Sequence, residues 1–349
     1  MAAPLAKIGI ISIGDMGLGI AKLLVANGFS VATNAKGRSN DTIERAKSAQ
    51  VQLLDSDEAL VQQCSVILSV VPPRDAAATA QRIADALSGP PRPRAGNDTP
   101  LYFADLNAVS PSTVKRLAAL FDRRDGLPAP VRFVDGSILG GPPKPKPKPK
   151  PKPKTAGANA DVDTDTGADA TGSTEWSLPR IPTSGPHPLS SIPVFGPRLA
   201  ATLNARHVSA SVGAASGLKM CFASFSKGFT ALAIQSFTTA QRLGVLPDLQ
   251  AELREVLPRH YELAERGVVG MPPKAYRWVG EMQEIARTLA EEGGFEPDMF
   301  VGAAETYRVV ADDTVLGREK IGKRVRGTTV EDVADAVAEG LRTKRKKND

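Results

Sequence analysis

The chain has 349 residues, 42% of them hydrophobic, so it is long enough for two domains and can fill a sizeable core. Its formal charge of +6 comes from two segments, 144–190 with a net charge of +2 and 341–349 with a net charge of +4, and the remainder is neutral. Because these excess cations lie outside the segments expected to fold, the charge does not favour nucleic-acid binding.

Several other features of the sequence exclude further classes of protein. Two cysteines and three scattered histidines cannot form a disulfide framework or a Cys/His metal cluster. A first strand that begins at residue 8 leaves no room for a signal peptide, and no apolar run reaches the length of a membrane span. We expect a cytoplasmic protein with neither a metal site nor a membrane segment.

The first predicted strand leads into a glycine turn. The apolar run Ile8–Ile13 indicates a buried strand, and a helical pattern covers Leu18–Asn27. A glycine turn between a strand and a helix leaves the N–H groups of the helix N-terminus free to receive a pyrophosphate. Ser12 stands where the first glycine of the usual triplet would be. We expect the turn residues to bind the pyrophosphate of a dinucleotide: Gly14, Asp15, Met16 and Gly17.

The end of the second predicted strand indicates which dinucleotide binds. NAD-binding chains usually place a carboxylate there for the ribose 2′-OH, but this chain has Asn34. Lys36, Arg38 and Ser39 follow, two cations and a hydroxyl that suit a 2′-phosphate. The residues therefore favour NADP(H), and the alternative is a basic surface loop that happens to follow a strand.

Strand-like and helix-like segments alternate through the next part of the chain. The predicted strands are 51–54, 65–71, 101–106 and 131–136, and the predicted helices include 58–63, 75–87 and one capped by Ser110. This alternation predicts an α/β fold with a parallel, doubly wound sheet, whose ligands bind at the carboxyl ends of the strands. We expect Val71, Pro72 and Asn107 to border the nicotinamide ribose.

A Lys-Pro repeat interrupts the alternation. Alternate prolines exclude helix and sheet, and the following tract is poor in apolar residues, so we expect a disordered insertion over about 142–190. A strand at Ile192–Phe195 and a helix at Pro197–Leu203 are then expected to resume the fold. An interdomain linker remains the alternative interpretation of the tract.

The second half of the chain is predicted to be helical. From Ala214 to about Leu243 there is no proline, and a helix of that length would run roughly 45 Å at 1.5 Å per residue. We expect it to connect a Rossmann domain, residues 1–212, to an all-α domain, residues 213–341, with a basic tail at 342–349.

The motifs together resemble the superfamily of β-hydroxyacid dehydrogenases and 6-phosphogluconate dehydrogenases, which also contains the imine reductases. The chain is most similar to the phosphogluconate-dehydrogenase-like proteins that have their own helical C-terminal domain. The matching motifs are Gly14-x-Met16-Gly17, Asp105-x-x-x-x-Ser110-Pro111, Asp135-Gly136-Ser137-x-x-Gly140-Gly141, Gly213-x-x-Ser216-Gly217-x-Lys219 and Arg277-Trp278-x-x-Glu281-Met282.

The resemblance implies that Lys219 is the general acid/base beside the transferred hydride. Burial in an apolar helix and the positive helix end would both lower its pKa, although a lysine that extends to solvent is the alternative. Ser110, Gly140 and Gly141 are assigned to the substrate, and Lys227 is a second cation of structural or substrate-neighbouring role. The resemblance also implies a homodimer.

Three positions depart from the pattern of that superfamily. Phe222 and Ala223 replace its asparagine, Leu139 replaces its substrate-binding serine, and Asn107-Ala108 replaces its Ser-Thr pair. We expect a substrate pocket that is more apolar than in that superfamily, or one whose contacts with the ligand come from the C-terminal domain. Three residues share one helical face there and either line the cleft or form a surface ladder: Arg277, Glu281 and Glu284.

The predicted function is an NADP(H)-dependent oxidoreductase of the dehydrogenase type. A hydride would pass between nicotinamide and a carbonyl or hydroxyl carbon of a small, hydroxy-acid-like substrate, with Lys219 moving the proton. Two alternatives remain: an imine-reductase-like activity on an apolar imine or amine, and a non-enzymatic NADP-binding protein whose Lys-Pro repeat docks onto acidic or aromatic grooves.

Overall fold

The described residues up to 209 form an open sheet with helices on both faces. The structure, a computed structural model, describes residues 3–88, 100–122, 131–146, 175–320 and 322–348. The strands are β1 (Lys7–Ile11), β2 (Ser30–Asn34), β3 (Gln52–Leu54), β4 (Val66–Ser69), β5 (Leu101–Asp105), β6 (Val131–Gly136), β7 (Lys144–Pro145), β8 (Trp176–Ser177), β9 (Ile181–Ser184) and β10 (Ala205–Ser209).

The main sheet has the strand order β10-β9-β6-β5-β4-β1-β2-β3. From β3 to β6 all pairs are parallel, with Ile8 opposite Val31 on one side and Val66 on the other. This is the order of a dinucleotide-binding fold. The predicted α/β class and its parallel, doubly wound sheet are confirmed, and β9 and β10 extend the sheet beyond β6.

Side chains alternate between two apolar layers, one on each face of the sheet. On β5, Tyr102 and Ala104 belong to one layer and Leu101 and Phe103 to the other, and all four are fully buried. A strand that is buried on both faces has a continuous run of apolar residues. These parallel strands could therefore be predicted from the sequence.

The helices are α1 (Asp15–Ala26), α2 (Asn40–Ser48), α3 (Asp57–Gln63), α4 (Pro73–Leu87), α5 (Pro111–Ala119), α6 (Gly196–Leu203), α7 (Ala214–Ala223), α8 (Phe229–Leu243), α9 (Leu246–Val256), α10 (Pro258–Gly270), α11 (Ala275–Gly293), α12 (Asp298–Asp312) and α13 (Val330–Asn348). Helices α1 and α6 cover one face of the sheet and α3 to α5 the other.

The strand predicted at Ile192–Phe195 is wrong. Those residues form the turn before α6, where Val194 has a positive φ of 70° and Pro193 has no N–H to donate to a sheet. The strands that extend the sheet are β9, inside the predicted insertion, and β10. The interior of the predicted disordered insertion, residues 147–174, lies outside the described residues.

The pair β9 and β10 runs antiparallel to the strand that it joins. Strand β9 pairs antiparallel with β6, Asp135 lying opposite Ser184, and β10 pairs parallel with β9. The Lys-Pro repeat begins at a short antiparallel pair, β7 with β8. The prediction of disorder over about 142–190 is therefore wrong at both ends, because residues 142–146 and 175–190 belong to the described fold.

The predicted long helix contains one irregular turn. Helices α7 and α8 are joined without a break by a π-helical turn at Ser224–Gly228. Such turns are common at functional sites, and this one contains Lys227. Five large apolar side chains on the long helix are more than one-third exposed: Leu218, Phe222, Phe225, Leu232 and Leu243. The homodimer stays a prediction.

The helical part has its own core, in which Tyr307, Met282 and Phe237 are buried. Helix α11 packs against α12, and α13 packs against α8. Helix α13 continues into the segment predicted as a basic tail, and Lys344 Nζ lies 2.9 Å from Glu305 Oε1. The tail predicted at 342–349 is thus helical to Asn348.

None of the helices in the described ranges is both long and apolar enough to cross a membrane. In the same ranges, no group of three or more His, Cys, Asp or Glu side chains is placed to hold a metal ion.

Candidate functional site

The turn between β1 and α1 is shaped to admit a pyrophosphate. Gly14 caps α1 without any side-chain hydrogen bond, which leaves the first N–H groups of the helix, at Asp15 and Met16, open to an anion. A Cβ on Gly17 would lie 2.0 Å from the carbonyl oxygen of Ser12, so only glycine allows this approach of helix to strand. The predicted pyrophosphate residues are therefore together, and their geometry fits a dinucleotide.

Ser12, at the position of the missing glycine, has a strained backbone. Its φ is 110°, a region that side chains with a Cβ rarely adopt. We expect Ser12→Gly to raise the free energy of unfolding by about 1 kcal/mol, because the relieved strain exceeds the extra entropy that glycine adds to the unfolded chain. Chemical denaturation followed by circular dichroism measures this. Ser12→Ala keeps the strain and is the matched control; an equal gain from both variants would contradict the explanation.

The end of β2 forms a basic groove whose polar groups have different roles. The amide of Asn34 is engaged at both its oxygen and its nitrogen: the oxygen accepts the Lys36 N–H at 3.0 Å, and the nitrogen donates to Asp57 Oδ1 at 2.8 Å. Ser39 caps α2 by accepting the Thr42 N–H. Asn34 and Ser39 thus shape the turn, whereas Lys36 and Arg38 are exposed cations beside it.

A third cation in this groove was not foreseen from the sequence. Arg82, on α4, lines the groove together with Asn34 and Arg38 and forms two hydrogen bonds to Asp57, at 2.9 and 3.0 Å. It neutralises a carboxylate that would otherwise repel a phosphate. No local motif signals Arg82, since its place depends on how α4 packs against α3.

Asn107 connects the loops that follow β4 and β5. Its side-chain oxygen accepts the Val71 N–H at 2.7 Å, and its nitrogen donates to Ser69 Oγ at 2.9 Å and Asp105 Oδ1 at 2.5 Å. Asn107 is buried, and burial raises the pKa of Asp105 to about 7. The structure therefore brings Val71, Pro72 and Asn107 to one edge of the sheet, with Asn107 positioning the others.

The start of α7 is fixed to the end of β6. The buried carboxylate of Asp135 accepts hydrogen bonds from Ser184 Oγ at 2.7 Å, the Gly213 N–H at 2.8 Å and Ser216 Oγ at 2.7 Å. Ser137 Oγ donates to the Ala215 carbonyl oxygen at 2.9 Å. These bonds set the position of the helix turn that presents Lys219.

Lys219 lies on this fixed helix with its amine largely buried. Its Nζ donates to the Ile138 carbonyl oxygen at 2.7 Å, and no carboxylate of the described residues forms an ion pair with it. Burial, and then the nearby charge of Arg277, lower the pKa of Lys219 to about 8. The amine therefore does not extend into solvent, and it can exchange a proton near neutral pH.

Lys227 is held by the helical part of the chain. Its ammonium forms an ion pair with Glu281 and lies 5.0 Å from the centre of the Trp278 ring, and its carbonyl oxygen accepts the Tyr307 hydroxyl at 2.5 Å. Burial and the charges of Lys219 and other cations lower the pKa of Lys227. These contacts favour a structural role beside the site.

The three other predicted substrate residues lie in the segments that follow β5 and β6. Ser110 caps α5, and its N–H donates to Glu284 Oε2 at 2.7 Å, so its polar groups are already engaged. Gly140 and Gly141 are exposed and follow Ile138, the partner of Lys219. Gly140 has a φ of 128°, which a side chain would strain.

The face of α11 that bears Arg277, Glu281 and Glu284 contacts the π-helical turn and the start of α5. Glu281 pairs with Lys227, and Glu284 accepts hydrogen bonds from the Ser110 N–H and from Thr113 Oγ1 at 2.9 Å. Arg277, Glu281 and Glu284 therefore do not form a ladder with one another, although Glu284 also pairs with Arg287 of the same helix at 2.8 Å.

Two sequence families match parts of the chain. Residues 7–90 match the family described as NADP oxidoreductase, coenzyme F420-dependent, and residues 240–310 match a domain of unknown function, DUF1932. The first range spans the dinucleotide turn and the basic groove, and the second lies in the helical part.

Comparison with whole proteins gives the same fold. An uncharacterised 28.5 kDa protein of Methanothermus fervidus is 24% identical over 81% of this chain and 90% of its own length. A conserved protein of unknown function, described as structurally similar to 3-hydroxyacid dehydrogenases, matches at a TM-score of 0.54 and 24% identity, over 87% of this chain and 97% of its own.

The 3-hydroxyisobutyrate dehydrogenase of Mycobacterium tuberculosis, solved with L-serine, matches at a TM-score of 0.57 and 15% identity, over 97% of this chain and 99% of its own. Likeness at these identities is evidence of fold. The predicted fold, a Rossmann part followed by a helical part like that of the hydroxyacid dehydrogenase structures, is confirmed.

Proposed function

We propose that the protein is an NADP(H)-dependent oxidoreductase that interconverts a carbonyl and a hydroxyl group, with Lys219 as the acid/base. The observation that supports this most is the Lys219 amine, which is partly buried, bonded to a backbone carbonyl and fixed in place by the anchored start of α7. A buried amine without an acidic partner is unusual unless its proton is used.

The residues for the cofactor fit the proposal. The open N-terminus of α1 would hold the pyrophosphate, and Lys36 and Arg38 would hold the 2′-phosphate, with Asp57 neutralised by Arg82. When bound, the nicotinamide supplies or accepts the hydride. Because Asn34 stands where an NAD-binding chain would have a carboxylate, and Lys36 and Arg38 follow it, NADP(H) is the proposed cofactor.

Lys219 would serve both directions of the reaction. As an ammonium it donates a proton to the oxygen of a carbonyl that is being reduced, and as a neutral amine it removes the proton of a hydroxyl that is being oxidised. With a pKa of about 8, both forms are present near neutrality. The Ile138 carbonyl oxygen, 2.7 Å from Nζ, orients the amine without neutralising it.

The test measures turnover on a panel of substrates. Aldehydes, ketones and cyclic imines are supplied with NADPH, hydroxy acids with NADP⁺, and the reaction is followed by the change in NADPH absorbance. We expect carbonyl reduction or hydroxyl oxidation and a clear preference over NADH or NAD⁺. Turnover of imines alone would favour an imine reductase. Tight NADPH binding with no turnover on any member would favour a non-enzymatic role.

A further inference from the structure

Asp57 is a carboxylate beside the basic groove that follows β2. It is the first residue of α3, and its Oδ1 accepts a hydrogen bond from the side-chain nitrogen of Asn34 at 2.8 Å. Asn34 stands where NAD-binding chains usually have the carboxylate that binds the ribose 2′-OH. The chain therefore keeps a carboxylate one hydrogen bond away from that position, on a different element of the fold.

Arg82 of α4 is the cation that pairs with this carboxylate. Its Nε donates to Asp57 Oδ2 at 2.9 Å and its Nη2 donates to Oδ1 at 3.0 Å, so the pair is bidentate. The Asp57 side chain is only 13% exposed, whereas that of Arg82 is 43% exposed. A bidentate pair with a mostly buried carboxylate fixes geometry better than an exposed ion pair does. The pairing holds the carboxylate against α4 and compensates its charge.

Arg82 also keeps a donor that a ligand can use. Its third nitrogen, Nη1, forms no hydrogen bond to any of the described residues. The side chain lines the basic groove together with Lys36 and Arg38, the two exposed cations assigned to a 2′-phosphate. A phosphate in the groove is therefore near three cations and one compensated carboxylate. Without Arg82, the same phosphate would be repelled by an uncompensated carboxylate.

We propose that Asp57 and Arg82 form a charge switch that determines the choice between NADP(H) and NAD(H). With the pair intact, Asp57 is engaged and Arg82 supplies a third cation for the 2′-phosphate. Without the guanidinium, Asp57 becomes a free carboxylate that repels a 2′-phosphate and can accept the 2′-OH of NAD(H). The inference rests on the proposed NADP(H) cofactor, and it adds a specificity-determining pair on α3 and α4, outside the motif that follows β2.

The experiment measures the dissociation constants for NADPH and NADH by fluorescence titration, so it needs no substrate. Four proteins are compared: the unmodified chain, Arg82→Met, Asp57→Asn and the double variant. Arg82→Met is expected to weaken NADPH binding by about 10–100-fold, because it removes a charged donor and leaves Asp57 facing the phosphate. NADH has no 2′-phosphate, and Arg82→Met should bind it at least as tightly as the unmodified protein does.

The double variant distinguishes a charge effect from a structural one. If Asp57 repels the phosphate in Arg82→Met, adding Asp57→Asn should restore NADPH affinity by at least about threefold. Asp57→Asn alone should weaken NADPH binding by less than about threefold, because Arg82 is still present. A pair that only braces α3 against α4 would lose both cofactors equally when Arg82 is replaced, and the second substitution would restore nothing.

Arg74→Met, which removes an exposed arginine of the same helix, is the matched control and should change neither dissociation constant. Circular dichroism checks that each variant is folded. If Arg82→Met does not fold, Arg82→Gln replaces it, because glutamine can still donate a hydrogen bond to Asp57 but carries no charge. Arg82→Gln should show the same loss of preference for NADPH.

Three results would overturn the switch. They are an equal weakening of NADPH and NADH in the Arg82 variant, an unchanged preference for NADPH in that variant, and a double variant that binds NADPH no better than the Arg82 variant. Failure of the proposed cofactor is distinguishable, because it shows in the unmodified protein as equal affinities for NADPH and NADH and rejects the switch with it. Absence of turnover would reject the proposed reaction and leave these binding results standing.

Discussion

Replacing Lys219 by methionine is expected to lower kcat for carbonyl reduction by about 10²–10⁴-fold, the usual contribution of a positioned general acid. This corresponds to roughly 3–5 kcal/mol of activation free energy. Methionine fills a similar volume, and the dissociation constant for NADPH should stay within about threefold, because Lys219 is assigned to the substrate and not to the phosphates. Stopped-flow absorbance at saturating NADPH measures the rate of carbonyl reduction.

Measuring the melting temperature of Lys219→Met in parallel tests whether the loss of activity comes from unfolding. The buried Lys219 ammonium is disfavoured by desolvation and by the charge of Arg277, so its removal should leave the melting temperature unchanged or raise it. Lys22→Met, which removes an exposed lysine of α1, is the matched control and should turn over normally. Turnover in Lys219→Met within threefold of the unmodified protein would contradict the assignment.

Replacing Arg38 by leucine is expected to weaken NADPH binding by about 10–100-fold, or roughly 1.5–3 kcal/mol, the value of a charged hydrogen bond. Arg38 is an exposed cation at the groove after β2, and its neighbours Asn34 and Ser39 are occupied in shaping the turn. Affinity for NADH, which lacks the 2′-phosphate, should change by less than about twofold. Fluorescence titration of both cofactors measures the two dissociation constants.

The matched control for Arg38 is Arg206→Leu, an exposed arginine on β10 at the opposite edge of the sheet. It should leave both affinities unchanged. A parallel weakening of NADPH and NADH in Arg38→Leu would mean that Arg38 contacts a part common to both cofactors. Equal affinities of the unmodified protein for the two cofactors would reject the choice of NADP(H).

Much of the fold could be predicted because its physical signals are local. The runs that became β1, β4 and β5 are continuous in apolar residues, since these strands are buried on both faces. Ser110 followed by proline predicted the start of α5, and the structure has that cap. The absence of proline from 214 to 243 predicted one long helix.

The missed strands lack such signals. Strand β9 has four residues, includes Pro182 and follows a tract of low apolar content, so its place depends on pairing with β6. The run at 192–195 looks like a strand by composition, but Pro193 and the positive φ of Val194 turn the chain there. The π-helical turn at Ser224–Gly228 has no sequence signature either.

Side-chain roles were harder to predict than positions. Asn34 ends β2 and Asn107 follows β5, as expected, but both side-chain amides form hydrogen bonds within the fold. The spacing of Arg277, Glu281 and Glu284 predicts that they share one face of a helix. It does not predict which other elements that face contacts. Which of the three lacks a partner depends on where Lys227 and Ser110 lie in space.

The central claim, proton transfer by Lys219 in an NADP(H)-dependent reaction, is tested most directly by the pH dependence of carbonyl reduction at saturating NADPH. Because the amine must be protonated to donate, and burial with Arg277 lowers its pKa to about 8, kcat/KM should be high below that pH. It should fall tenfold per pH unit well above it. The residual rate of Lys219→Met should not show this fall. A profile of the unmodified protein that is flat from pH 6 to about 10, or one that Lys219→Met retains, would contradict the account.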